Sequence, residues 1–164
     1  MTNILIRILF LQCLFSSSAF AQYGAPDGQW PTYGGDLGHT RYSALDQIDG
    51  SNFSDLEVAW RFKTDNLGPS PEYRLQATPL MVDGTIYTTA GTRRAVVALD
   101  AQTGELLWRF GIDEGERGAF APRQLSGRGL AFWQNEDQSK VIYVTPGYQM
   151  VALNADSGQP VADF

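Results

Sequence analysis

An internal repeat is the feature of this sequence that most limits how the chain can fold. Residues 97–110 align with residues 151–164 at an offset of 54 positions, and residues 86–91 align with residues 142–147 at an offset of 56. The difference of two between these offsets indicates a loop that is two residues shorter in the second copy. Repetition at a period of about 50 residues is typical of architectures that repeat one small supersecondary unit.

Each copy of the repeat is predicted to contain three strands joined by turns. In the first copy, β-forming residues occupy positions 86–89, 96–99 and 106–110, and the segment 100–104 carries the Asp, Thr and Gly of a tight turn. A unit of about 50 residues with three or four antiparallel strands has the size of one propeller blade. The predicted fold class is therefore all-β, a partial β-propeller of about two to three antiparallel blades.

The turn of the first copy belongs to a longer motif, D-x-x-T-G-x-x-x-W, which runs from Asp100 to Trp108. The indole could serve as a stacking platform for a ligand, but packing between neighbouring sheets is the favoured interpretation. The second copy keeps the turn and has Ala162 where the tryptophan would stand. An earlier partial copy around Trp60 predicts a strand whose blade partners lie elsewhere.

The first 21 residues have the pattern of a secretory signal peptide. Arg7 is followed by an apolar run over residues 8–15, broken only by Gln12, and by an Ala-Phe-Ala ending at residue 21. The run is too short to span a bilayer core of about 30 Å. The predicted organisation is a signal peptide at 1–21 and the N-terminal blades of an incomplete propeller domain at 22–164. The predicted location is the periplasm, with attachment to the membrane left open.

Composition narrows the function classes further. The net charge of −6 argues against nucleic acid as a partner, since phosphate binding needs a basic surface. One cysteine and one histidine exclude a disulfide framework and a multi-histidine metal site within this chain. The side chains from which a complete enzyme is built are therefore scarce.

Several motifs in a fixed order resemble the quinoprotein dehydrogenases, eight-bladed propellers that oxidise alcohols or sugars with pyrroloquinoline quinone (PQQ). The resemblance covers roughly residues 29–164. It includes the D-x-x-T-G-x-x-x-W motif, and the other segments that carry it are 30–36, 41–48, 52–60, 78–87 and 126–131. Each segment is weak alone, whereas their order and spacing are specific. The resemblance implies that this chain is the N-terminal part of such a propeller.

Two cofactor-binding residues follow from the resemblance. In the family, a polar or acidic residue two positions before a Thr-Pro pair contacts the quinone, and Gln76 stands there. An arginine before a glycine in the Arg-Gly-x-Ala segment lies beside the quinone, and Arg128 stands there. A guanidinium suits the three carboxylates of the quinone. The alternatives are a solvent-facing strand residue for Gln76 and a surface arginine for Arg128.

The chain departs from the alcohol-oxidising members at one point. Those members have adjacent cysteines a few residues before the Arg-Gly pair, and Pro122 and Arg123 stand there instead. This difference favours a sugar or polyol over methanol or ethanol as substrate. The resemblance implies a small sugar, polyol or alcohol as substrate and a respiratory quinone or a cytochrome as electron acceptor.

No catalytic residue and no metal ligand is assigned to this chain. The family places its catalytic aspartate and its metal ligands, usually for Ca²⁺, on later blades, which would lie beyond residue 164. Within the chain, Asp46 and Asp49 lack the spacing of a calcium loop. The acidic run at 113–116 is predicted to be a solvated loop, and a structural role is favoured for His39.

Three hypotheses remain open from the sequence. The first is an exported PQQ-dependent dehydrogenase of which this chain is an N-terminal portion, inactive alone. The second is a non-catalytic propeller scaffold of the outer-membrane assembly type, built from similar repeats without a cofactor. The third is an inert remnant. The segments 30–48, 78–79 and 128–129 favour the first hypothesis, because a scaffold would not need them.

Overall fold

The computed structural model describes residues 24–70, 72–125, 129–162 and 164, which form two antiparallel sheets preceded by an irregular lead-in. The predicted signal peptide and Arg128 lie outside the described residues. No helix in the described ranges is long and apolar enough to cross a membrane.

The elements are β1 (Leu80–Val82), β2 (Thr85–Ala90), β3 (Ala95–Asp100), β4 (Leu106–Phe110), α1 (Gly115–Ala119), β5 (Ala131–Gln134), β6 (Ser139–Val144) and β7 (Met150–Asn154). The first sheet has four strands in the order β1-β2-β3-β4, and the second has three in the order β5-β6-β7. The short helix α1 connects the two sheets, and a 3-10 turn at Phe53–Asp55 lies in the lead-in. The predicted partial propeller is confirmed as two blades, with β2, β3 and β4 where the sequence predicted strands.

The second blade repeats the register of the first. Leu99 pairs with Leu106 across β3 and β4, and Leu153 forms an isolated antiparallel bridge with Pro160 at the same offset of 54. Two hydrogen bonds close this bridge, from the amide of Asn154 to the carbonyl of Gln159 at 2.8 Å and from the amide of Val161 to the carbonyl of Ala152 at 2.9 Å.

The strand β3 is buried on both faces, as expected for a sheet stacked between two neighbours. Val96 and Ala98 belong to a core that the two blades share with Val141 and Leu153. The alternate side chain Val97 packs in a second core. That second core also contains Leu67, Ala90, Ala95 and Leu99, with Trp60, Phe62 and Ile86 packed against it. The lead-in thus covers the face of the first blade that the second blade leaves free.

Tryptophan docking holds these layers in register, as the sequence predicted for Trp108. The indole of Trp108 donates to the carbonyl of Ala155 at 2.8 Å, and Trp60 donates to Ala101 at 3.1 Å. Each ring lies on a turn glycine, since a Cβ on Gly104 or Gly158 would stand 2.5 Å from the indole. Both glycines have positive φ, of 72° and 68°, which also disfavours a side chain.

The turns under the indoles are built by the same hydrogen bonds in both blades. Asp100 Oδ1 accepts from the amide and hydroxyl of Thr103 at 2.7 and 2.8 Å. Asn154 Oδ1 accepts from the amide and hydroxyl of Ser157, both at 2.9 Å. The hydroxyl of Thr103, followed by its amide, holds the pKa of Asp100 below the ordinary value of 3.8.

We expect the Asp100→Asn variant to unfold like the parent at pH 7 and to differ from it in acid. The amide oxygen keeps the acceptor, as Asn154 does. Because folding lowers the pKa of Asp100, the parent's gain from this carboxylate is present above pH 3.8 and is lost as pH falls through the folded-state pKa. The Asp100→Asn variant has no carboxylate at this position and therefore does not lose this contribution to stability in acid.

Urea midpoints at pH 7 and pH 3 measure this difference, with Asp100→Ala as the control that loses the acceptor at both pH values. An Asp100→Asn midpoint as low as that of Asp100→Ala at pH 7 would show that the charge, rather than the acceptor, holds the turn.

Candidate functional site

The site is built around Arg94, which lies in the turn between β2 and β3 and is 4% exposed. Its guanidinium reaches the second blade and the loop before it. Nε donates to the carbonyl of Leu125 at 3.1 Å, and Nη2 donates to that of Arg123 at 2.8 Å. Nη1 donates to the carbonyls of Val144 and Thr145 at 2.9 and 3.1 Å. One buried side chain thus fixes the loop at 121–125 against both blades.

Glu114 lies in the segment that connects the two sheets and forms a second link to the second blade. Its Oε1 accepts from the hydroxyl of Thr145 at 2.6 Å, and its Oε2 accepts from the amide of Gly147 at 2.7 Å. Burial, and secondly the charge of Glu114, raise the pKa of Tyr143 to about 12. The prediction of a solvated loop at 113–116 is therefore wrong for Glu114, whereas Asp113 is 65% exposed and pairs with Arg93.

The loop fixed by Arg94 forms one wall of an open pocket of about 630 Å³. The opposite wall comes from the segment that leads into β1. The lining residues are Tyr73, Arg74, Gln76, Arg94, Ala121, Pro122, Arg123, Gln124 and Leu125. Three of these nine residues are arginines and none is acidic, so the pocket is positively charged in a chain whose net charge is −6. We call it the arginine pocket.

A smaller pocket of about 310 Å³ adjoins the arginine pocket and shares Tyr73, Gln124 and Leu125 with it. Its lining includes the carboxylates of Asp113 and Glu114. The acidic side chains at 113–114 therefore line the neighbouring pocket together with Arg93, and neither of them lines the arginine pocket.

The structure places Gln76 in the wall of the arginine pocket, where its amide can donate and accept hydrogen bonds. Its contact with a cofactor stays a prediction. Arg128 is outside the described residues, as are its two preceding neighbours. Pro122 and Arg123, which occupy the positions of the family's cysteines, line the same pocket as Gln76.

Sequence reasoning missed Arg74 and Arg94 as pocket residues. Arg94 follows another arginine in a turn and has the pattern of a surface residue, and only its long-range partners reveal its burial. A signal did exist for Arg123, because it stands where the resemblance placed a cysteine.

Asp49 and His39, which were considered as site residues from the sequence, make local contacts within the lead-in. Asp49 accepts from the amide and hydroxyl of Ser51, at 2.7 and 2.6 Å, within its own turn. His39 is exposed, and its ring lies 6.1 Å from that of Tyr33. Among the residues that the structure describes, no group of three or more His, Cys, Asp or Glu side chains could hold a metal ion. Calcium ligands beyond residue 164 stay a prediction.

Comparison with known proteins identifies the family. The family model "PQQ: Glucose/ethanol/alcohol dehydrogenase, beta-propeller domain" matches residues 30–164. The chain belongs to this family. The resemblance stated from the sequence motifs is thereby confirmed, and with it the assignment to the quinoprotein dehydrogenases.

The similar proteins are much longer than this chain. The quinohemoprotein alcohol dehydrogenase of Comamonas testosteroni is 33% identical over 93% of the chain and 23% of that protein. Its crystal structure superposes with a TM-score of 0.68, at 32% identity over 85% of this chain and 20% of that one. The 1-butanol dehydrogenase (cytochrome c) of Thauera butanivorans is 33% identical over 94% of the chain and 20% of that protein. The chain spans about a fifth of the length of these relatives.

A europium-containing methanol dehydrogenase has the same fold over this region. Its structure superposes with a TM-score of 0.64, at 28% identity over 81% of this chain and 22% of that one. The relatives named here are alcohol dehydrogenases, so the preference for a sugar or polyol stays a prediction.

Proposed function

We propose that this chain supplies the N-terminal blades of an exported PQQ-dependent dehydrogenase that oxidises an alcohol, polyol or sugar. The observation that carries the proposal is the arginine pocket, which contains Gln76 and lies in a chain of the quinoprotein family. Its lining offers two carboxamides and guanidinium donors without a competing carboxylate, which fits a ligand with several carboxylates.

In this proposal the residues of the chain bind and orient the cofactor. Gln76 hydrogen-bonds the quinone from the segment before β1, and Arg128 binds one of its carboxylates. Arg94 fixes the loop at 121–125 through carbonyls at 2.8 to 3.1 Å, so that the pocket wall is rigid before the cofactor arrives. When bound, PQQ supplies the hydride acceptor, with a divalent cation such as Ca²⁺ to polarise its carbonyl.

Alcohols are the first substrate class to test, because the relatives are named as alcohol dehydrogenases. The missing cysteine pair is the argument for a sugar or polyol. A cytochrome is the first acceptor to test, because the Thauera relative is named as a cytochrome c enzyme. A respiratory quinone is the alternative acceptor. Delivery to the periplasm rests on the pattern of residues 1–21.

Dye reduction tests this function. The protein is incubated with PQQ and Ca²⁺, and an artificial acceptor is followed with 1-butanol, ethanol, glycerol and glucose. We expect no turnover by the 164-residue chain alone, because the catalytic aspartate and the metal ligands are proposed to lie on other blades. We expect PQQ-dependent turnover when the chain is extended by the later blades of the Comamonas testosteroni relative.

Turnover by the chain alone would overturn the proposal that it is catalytically incomplete. An extended protein that folds and binds PQQ but reduces no dye with any of the four substrates would contradict the proposed activity. Folding without any PQQ binding would favour the propeller scaffold instead.

A further inference from the structure

The arginine pocket contains positive charge that the fold does not use. Arg94 uses its guanidinium to hold four backbone carbonyls, so its role in the fold is clear. Arg74 and Arg123 are exposed side chains on opposite walls of the pocket. Within the part of the chain that the structure describes, neither makes a side-chain hydrogen bond or an ion pair. Their donors are available to a ligand.

Arg93 provides a comparison, because it is an exposed arginine whose charge is paired within the protein. Arg93 is 52% exposed and pairs with Asp113 at 2.8 Å. The arginine pocket contains no such partner, because Asp113 and Glu114 line the adjoining pocket. Like charges gathered in one concave site repel each other and favour an anion between them.

The backbone of Arg123 is also fixed before any ligand binds. Its carbonyl accepts from Arg94 Nη2 at 2.8 Å, and the next fixed carbonyl, that of Leu125, accepts from Arg94 Nε at 3.1 Å. A guanidinium on a fixed loop loses less freedom on binding than one on a mobile loop. The buried Arg94 thus positions Arg123 to bind an anion.

We propose that Arg74 and Arg123 bind carboxylates of the ligand of this pocket, in addition to the contact proposed for Gln76. The inference rests on the proposed function, in which the ligand is PQQ with its three carboxylates. A guanidinium binds a carboxylate through two parallel N–H···O bonds, a geometry that lysine cannot reproduce. Arg123 therefore supplies charge at the position where the resembling alcohol dehydrogenases have a cysteine.

Equilibrium dialysis with two probes tests the inference on the full chain. The first probe is PQQ, and the second is pyridine-2,4,6-tricarboxylate, which has three carboxylates and no quinone. The variants are Arg74→Gln, Arg123→Gln and Arg123→Lys, with Arg61→Gln as the control, since Arg61 is exposed and does not line this pocket. Far-ultraviolet circular dichroism checks that each variant folds.

We expect each glutamine variant to raise the Kd of both probes about tenfold and to weaken the dependence of binding on salt. We expect Arg123→Lys to recover only part of the affinity, because it restores the charge without the fork. Arg61→Gln should stay within about twofold of the parent protein.

The outcomes separate this inference from the proposed function. Binding of PQQ with the same Kd in the parent and both glutamine variants would overturn the inference and leave the cofactor assignment standing. Arginine-dependent binding of the tricarboxylate without binding of PQQ would support the two carboxylate-binding arginines and contradict PQQ as the ligand. Binding of neither probe at millimolar concentration would overturn the inference.

Discussion

Replacement of Arg94 by methionine is expected to destabilise the protein by about 2–4 kcal/mol, because four hydrogen bonds to backbone carbonyls are lost at once. Methionine keeps much of the side-chain length and volume, so the loss isolates the hydrogen bonds. The loop at 121–125 and the end of β6 should loosen first, since these are the segments that the guanidinium holds. Urea unfolding gives the free energy, and hydrogen exchange locates the loosened segments.

The adjacent residue provides a matched control. Arg93→Met removes an exposed ion pair with Asp113, which is expected to cost about 0–1 kcal/mol. The two variants differ only in which neighbouring arginine is changed. Equal losses of stability in the two variants would contradict the assignment of Arg94 as the residue that joins the blades.

Replacement of Trp108 by alanine is expected to destabilise the protein by about 3 kcal/mol. The indole packs on Gly158, donates to the carbonyl of Ala155 at 2.8 Å and contacts the core shared by the blades. Its loss leaves a cavity between the two sheets and removes one of two donors to the carbonyl of Ala155, the other being the Tyr87 hydroxyl at 3.4 Å. Urea unfolding at pH 7, followed by circular dichroism, measures the effect.

Trp133 is the matched indole. It is 43% exposed on β5 and has the Lys140 ammonium 4.9 Å from its ring centroid. Trp133→Ala is expected to cost about 1 kcal/mol or less, since an exposed cation–π contact is weak. A loss as large as that of Trp108→Ala would show that stability follows total aromatic content rather than docking between blades.

The repeat motif predicted the parts of the fold that depend on local chemistry. An Asp or Asn at the start of the turn, a hydroxyl three residues later and a glycine with positive φ form the same turn at positions 100–104 and 154–158. The tryptophan position of the motif predicted where Trp108 packs. The turns were predictable because each depends on residues within five positions of one another. The packing of Trp108 was predictable because the repeat places the same turn, at 154–158, in the next blade.

The parts that sequence alone did not predict depend on distant partners. Arg94 is buried because residues 123–145 bring four carbonyls to it, and no local pattern records that approach. Glu114 was predicted to be solvated because its neighbours are charged, yet it accepts from Thr145 and Gly147 of the second blade. The arginine pocket combines walls at 73–76 and 121–125, so its charge became visible only when both walls were placed.

The arginine pocket is proposed to bind the quinone of a PQQ dehydrogenase. The most direct measurement is the electron density of the protein crystallised with millimolar PQQ. We expect quinone density in the pocket lined by Arg74, Gln76 and Arg123, with carboxylates facing the two guanidinium groups. Quinone density elsewhere on the chain, or an empty arginine pocket at saturating PQQ, would contradict it.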